Sequence, residues 1–233
     1  MTDRLTLHAA LVALLLAVPT SAFAADAAHP TVVELFQSQG CSSCPPAAAN
    51  VRAVSDRPDV LALAFEVDYW DRLGWKDTFS SPAWTARQYA YAHAMARDGV
   101  YTPQVVVNGR VEGDGLEAGG LTALIREGDR DAGGPGVSFA GGAVSVGSGT
   151  APARGADVWL VRYDPRVVEV AVKRGENAGR TLPHKDVVRE MALLGHWDGG
   201  AASFPAPAGP PDLGEAAIVQ EAGAGPILAA AKR

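Results

Sequence analysis

Thr31-Val32-Val33-Glu34-Leu35-Phe36-Gln37-Ser38-Gln39-Gly40-Cys41-Ser42-Ser43-Cys44-Pro45-Pro46 is the stretch on which the fold turns. Thr31 to Phe36 is rich in β-branched and apolar residues and starts after Pro30, which predicts a buried strand. Ala47, Val51 and Val54 then recur at helical spacing, which predicts a helix to about Ser55. Pro45 and Pro46 suit a first helical turn, whose N–H groups have no intrahelical acceptor. Residues before proline avoid the α region, so Cys41 is expected at or just ahead of the helix start. Cys41 and Cys44 are the only cysteines in the chain.

The next segments extend this pattern. Asp56-Arg57-Pro58-Asp59 reads as a turn, and Val60 to Val67 as a strand buried on both faces. Strand, helix and strand of this length make a right-handed βαβ unit. Asp68 to Phe79 is a long loop carrying Tyr69, Trp70, Trp75 and Phe79. Those aromatics form either a lip for an unfolded partner or a plug against the second half of the chain. Ser81 and Pro82 open a helix expected to run to about Asp98, with Trp84, Tyr91 and Met95 on a core-facing stripe. Gln104 to Val107 is a short strand, Asn108-Gly109 a two-residue hairpin turn, and Arg110 to Glu112 the returning strand. Leu116, Leu121, Leu124 and Ile125 mark a last helix ending near Gly128. The predicted order is β-α-β-α-β-β-α.

Composition bounds the rest. The 233 residues are 48% hydrophobic and 20% charged with a formal charge of −6, so no basic surface advertises nucleic acid. Arg4, the apolar run Ala9 to Val18 and Ala22-Phe23-Ala24 read as a secretory signal peptide over residues 1–24, cleaved near Ala24/Ala25. The chain is therefore expected in the periplasm or secreted, where disulfides persist, with no integral membrane segment after cleavage.

Asp131-Ala132-Gly133-Gly134-Pro135-Gly136 reads as a boundary, dividing the chain into a unit over 29–131 and a smaller, mainly antiparallel β unit over 136–233, sandwich-like. Gly141-Gly142 predicts one hairpin there. Asp164-Pro165, between Val158–Tyr163 and Val167–Val172, predicts another. Val187 to Trp197 fits either a strand or a short helix, Ile218-Val219-Gln220 adds a segment, and Pro205 to Pro211 is a loop. The fold class expected is α+β.

The element order, Cys41-Ser42-Ser43-Cys44 between the first strand and helix, and Thr102-Pro103 before the third strand resemble the thioredoxin fold. That resemblance implies a cis Thr102–Pro103 bond facing the cysteines. The chain is also similar to a secreted bacterial family known as domain of unknown function 1223. The matching motifs are Glu34-Leu35-Phe36, Cys41 to Pro46, Val67-Asp68-Tyr69-Trp70-Asp71, Gly74-Trp75-Lys76-Asp77, Arg87-Gln88, Tyr101-Thr102-Pro103-Gln104 and Val107-Asn108-Gly109. They resume at Arg174-Gly175-Glu176-Asn177 with His184, Val187-Val188-Arg189 and Gly225-Pro226-Ile227-Leu228. Two departures from thioredoxin stand out. No tryptophan precedes Cys41, and Ser42-Ser43 fills the motif. The inner dipeptide affects reduction potential in such proteins, so the direction of electron flow stays open.

The chemistry expected is thiol–disulfide exchange with the thiols and disulfides of exported proteins. Helix N-termini favour anions, so Cys41 is expected as the exposed attacking thiolate and Cys44 as the resolving thiol. A structural staple is the plain alternative, although a loop this short removes little chain entropy. Such a staple leaves a non-catalytic protein-binding module as one alternative function. Another is Cu(I) binding and delivery by Cys41 and Cys44, since two thiolates suit Cu(I); otherwise no cofactor is expected. In thioredoxin-like proteins a buried acid relays the resolving thiol's proton, and Glu34 or Glu66 is placed to do so, against the plain reading of a surface or edge carboxylate. Thr102 and Pro103 are expected to line the substrate face. Arg174, Glu176, Asn177, Arg180, His184 and Lys185 read as a polar loop locked by internal pairs.

Overall fold

A computed structural model describes residues 25–130 and 133–233. The expected signal peptide lies outside the described residues. The chain forms a mixed α/β structure. Its elements are β1 (Thr31–Gln37), α1 (Cys44–Ser55), β2 (Val60–Glu66), α2 (Pro82–Ala94), β3 (Gln104–Val107), β4 (Val111–Gly113) and α3 (Ala118–Glu127). There follow β5 (Val137–Ala140), β6 (Ala143–Val146), β7 (Ala156–Asp164), β8 (Val168–Ala171), β9 (Thr181–His184), β10 (Val187–Trp197), β11 (Ala202–Pro205), β12 (Gly214–Glu221) and β13 (Ile227–Lys232).

One eight-stranded sheet, ordered β13-β12-β7-β10-β2-β1-β3-β4, runs through both halves of the chain. β1 and β2 pair in parallel from Thr31 opposite Val60 to Gln37 opposite Glu66. β3 runs antiparallel to β1, and β4 antiparallel to β3. The seam between the halves is narrow: Val187 of β10 pairs with Ala64 of β2, and Ala64 N donates to Asp186 O at 2.8 Å.

Both faces of β1 and β2 are covered, which explains their unbroken apolar runs. On one face Val33, Leu35, Val60 and Ala62 meet Ala47 and Val51 of α1 and Leu121 and Ile125 of α3. On the other, Phe36 and Phe65 stack at 5.2 Å, and Phe65 meets Trp84 of α2 edge-on. The Trp84–Tyr91 stripe faces this core, as its spacing predicts, with Met95 packed at its margin. Farther along, β11-β6-β5 form a separate sheet. Val144 and Val146 from it pack with Val158, Leu160, Trp197 and Val219 of the large sheet.

The hairpin turn at Asn108-Gly109 has φ of 49° and 62°, which favours this pair of residues. A Cβ at Gly109 would stand 2.6 Å from Gly225 O. Asn108 is fully buried and ties three elements together. Its Oδ1 accepts from Val32 N, its Nδ2 donates to Gly128 O, and its carbonyl accepts from Ile227 N.

Some expectations fail in the second half. β7 and β8 do not form a hairpin across Asp164-Pro165. β7 is taken on its two edges by β10 and β12, while β8 pairs only with β9 in a two-stranded ribbon. Val187 to Trp197 is a strand whose register shifts twice against β7, so its side chains lose the strict alternation that would have distinguished it from a helix. α2 closes at Ala94, short of Asp98, because Ala96 turns to φ 52°. β9, β11 and β13 are strands that periodicity does not reveal.

Candidate active site

Cys41 and Cys44 are joined by a disulfide at the start of α1, with a Cα separation of 5.4 Å. The turn before the helix is closed by Cys41 N on Ser38 O and Cys44 N on Cys41 O. Cys44 opens the helix, and Pro45 and Pro46 fill positions that need no donor. Ser43 Oγ lies 3.4 Å from Cys41 Sγ and 3.5 Å from Thr102 O. The Thr102–Pro103 bond is cis, and Trp70 Nε1 holds Thr102 Oγ1 at 2.8 Å. Cys41, Cys44 and Thr102 are therefore together.

Cys41 is not the exposed residue that its place before the helix predicts. It is 0% exposed and Cys44 is 2% exposed. The turn between β8 and β9 lies against them. Glu176 Oε2 accepts from Ser42 N at 3.1 Å and from Ser42 Oγ at 2.7 Å. The buried Asn177 donates from Nδ2 to Gln39 O at 3.0 Å and to Cys41 O at 2.8 Å. Its Oδ1 accepts from Arg180 Nη1. The polar loop of the second half is thus locked, and what it is locked onto is the Cys-x-x-Cys turn.

The loop aromatics act as a plug. Tyr69 and Trp70 pack on the core beside α2. Trp75 Nε1 donates to Gln39 Oε1, and Phe79 meets the His184 ring edge-on beneath Arg189.

The two candidate acids separate. Glu34 shares its sheet face with Val32 and Phe36, away from α1 and Cys44. It is paired to Arg87 Nε at 2.7 Å and bonded by the Tyr91 hydroxyl. Arg87 also reaches Gln220 of β12, so Glu34 belongs to a buried stitch between β1, α2 and β12.

Glu66 ends β2 on the α1 side of the sheet. Its Oε1 accepts from Gln37 Nε2 at 2.8 Å and lies 3.0 Å from His184 Nδ1. Asp77 stands beside it, accepting from Gln39 N and Phe79 N. Burial, then the neighbouring Glu66 charge, pushes the Asp77 carboxyl up to about 9. Glu66 Oε2 has no other donor among the described residues, and a proton on Asp77 supplies one. His184 Nε2 is likewise buried without a partner. His184, Gln37 and Cys44 line one cleft of about 240 Å³ together with Arg52 and Arg180. Glu66 and Asp77 are eleven positions apart in the sequence and carry no paired-carboxylate motif. The available signal was Glu66 closing an otherwise apolar run, and Asp77 closing Gly74-Trp75-Lys76-Asp77.

Among the described residues no group of three or more His, Cys, Asp or Glu side chains is arranged to hold a metal ion, and no helix is long and apolar enough to cross a membrane.

A family profile described as "Protein of unknown function (DUF1223)" matches residues 32–220. The chain belongs to this family. The DUF1223 match spans both the Cys-x-x-Cys turn and the loop that covers it. The chain is also similar to a protein from Agrobacterium tumefaciens whose crystal structure was a structural-genomics target. The two share 35% identity, with a TM-score of 0.70 over 87% of this chain and 92% of that one. No curated protein matches the chain.

Proposed function

We propose that this DUF1223 protein is an exported thiol–disulfide oxidoreductase acting on thiols and disulfides of exported proteins. The observation that carries the reading is the Cys41–Cys44 bond at the first turn of α1, facing the Thr102 carbonyl across Ser43. The partial sheet order β2-β1-β3-β4, with β1 and β2 parallel, supports a thioredoxin-like unit over 29–131. The β-rich unit over 136–233 then extends its sheet. The apolar leader sequence supports export.

In the oxidising direction a substrate thiolate attacks Cys41 Sγ. A substrate–Cys41 bond forms, the Cys41–Cys44 bond breaks, and Cys44 leaves as a thiolate. A second substrate thiolate then displaces Cys41. Two electrons pass from the substrate dithiol to the protein, and a disulfide-bearing oxidant in the same compartment restores the pair. The reverse direction uses the same steps with a dithiol donor. The Glu66–Asp77 pair reaches the Cys44 cleft through His184, which lines that cleft and lies 3.0 Å from Glu66. The proton held on Asp77 is the one this route offers to the departing Cys44 thiolate.

Replacing Cys44 with Ser tests this reading. Cys41 then has no resolving partner, so mixed disulfides with exported proteins should accumulate and disappear on reduction. Their absence from intact cells would refute it. The burial of both sulfurs favours a second reading, a binding module with a structural disulfide, in which Cys44→Ser captures nothing.

A further inference from the structure

We propose that residues 173–180 are a removable cover over the Cys41–Cys44 pair, latched by Glu176 on Ser42, and that the pair reacts only when this cover has lifted. The inference rests on the pair being redox-active and concerns how access to it is regulated.

Three features carry it. First, both cysteines are buried, although each stands at a helix start that the fold brings to the surface beside Ser42 and Ser43, which remain exposed. The side chains that close the turn come from over 130 positions later in the chain. Second, the cover belongs to a ribbon that stands alone. β8 and β9 pair with each other and with no strand of the large sheet. The base of the turn is pinned by Val172 N on Arg180 O and Gly179 N on Val172 O. Gly175 and Gly179, at φ 77° and 81°, flank the Ala178-containing tip and place its two sharp bends. The turn at its tip can therefore lift without breaking a ladder of the large sheet, while Val172, Leu182 and His184 keep the foot of the ribbon buried.

Third, the latch is chemically a ligand of the site. Glu176 is solvent-exposed, yet its carboxylate takes both the N–H and the hydroxyl of Ser42. Those donors stand next to Cys41, where an incoming substrate or a developing thiolate needs them. Asn177 similarly occupies the Cys41 carbonyl. A partner that displaces the cover must offer an acceptor of its own to Ser42, such as a carboxylate or a peptide carbonyl, and a donor to the Cys41 carbonyl. An extended peptide backbone has both.

The test reads access alone. The oxidised full-length mature protein is treated with a water-soluble phosphine, and the appearance of thiols is followed by quenching with a maleimide and weighing the products. Glu176→Ala alters an exposed side chain and should not disturb the fold. It should speed reduction roughly fivefold to tenfold, the loss of two charge-assisted hydrogen bonds discounted for exposure. Asn177→Ala should speed it further. If Glu176→Ala is reduced at the wild-type rate with its fold intact, the cover is refuted, whether or not Asn177→Ala folds. Phosphine needs no biological partner, so the outcome separates from the functional reading. Faster reduction with no trapped proteins in Cys44→Ser cells keeps the cover and overturns the function. Trapped proteins with an unchanged reduction rate do the opposite.

Discussion

Replacing Arg87 with Met should be among the costliest single changes in this protein, and the cost can be worked from its surroundings. The guanidinium is 8% exposed and the Glu34 carboxylate 0% exposed. Their bond is 2.7 Å, and Arg87 also donates to the Tyr91 hydroxyl and to Gln220 Oε1. It lies 4.9 Å from the Tyr91 ring centroid. Methionine keeps the length of the stem but removes the charge. Glu34 is then buried with the Tyr91 hydroxyl as its remaining donor. Breaking a buried pair from one side costs about 3–5 kcal/mol. For a chain of this size that lowers the melting temperature by roughly 6–20 °C, at about 2–4 °C per kcal/mol. Urea unfolding of the oxidised protein, followed by tryptophan fluorescence, reads the loss. The double variant Glu34→Leu/Arg87→Met should recover most of it, because no unpaired charge remains. Glu34→Gln should lower stability while leaving the rate of disulfide reduction by phosphine unchanged, since Glu34 lies across the sheet from Cys44. A loss below about 1 kcal/mol for Arg87→Met, or a double variant as unstable as the sum of its parts, would show that the Glu34–Arg87 pair is not the buried stitch described.

Two further expectations concern the buried acids and the core. Asp77 keeps its proton in the folded chain up to about pH 9, whereas the unfolded chain releases it near the ordinary carboxyl value of 3.8. The unfolded state therefore binds fewer protons between these limits, and stability should fall as pH rises through them, by at most about 1.4 kcal/mol per pH unit. Asp77→Asn should flatten that slope between pH 5 and 8 in urea unfolding, at the cost of one hydrogen bond, because Gln39 N and Phe79 N meet different carboxyl oxygens and an amide keeps only one of them; an undiminished slope would contradict the assignment. Phe36→Ala empties a fully buried position between the Phe65 and Tyr91 rings, and should cost about 3–5 kcal/mol by the same assay.

How much of this was legible in the sequence follows from where the determinants lie. The first half is built from local signals: continuous apolar runs for β1 and β2, Pro45 and Pro46 for the start of α1, Asn108-Gly109 for a turn. Each is decided by its neighbours in the chain, and each appears in the structure. The second half is decided by partners far away. β7 carries the strand pattern that a hairpin with β8 requires, but β10 and β12 win its edges, and no local residue announces that choice. The site divides in the same way. Cys41, Cys44 and Thr102 are read from motifs. The burial of Cys41 is not, because the residues around it include Asn177, which bonds its carbonyl from 136 positions later in the chain. Glu66 and Glu34 are equivalent as relays in the sequence, since one residue of strand register decides which sheet face each carboxylate takes.

If Cys41 and Cys44 cycle between disulfide and dithiol, the protein equilibrated in a series of thiol–disulfide buffers should show it in its free-thiol count. A reversible two-electron transition is expected, with a midpoint between about −270 and −120 mV, the range of dithiol oxidoreductases. A pair still oxidised in buffers poised below about −300 mV, as structural disulfides of secreted proteins are, would contradict it.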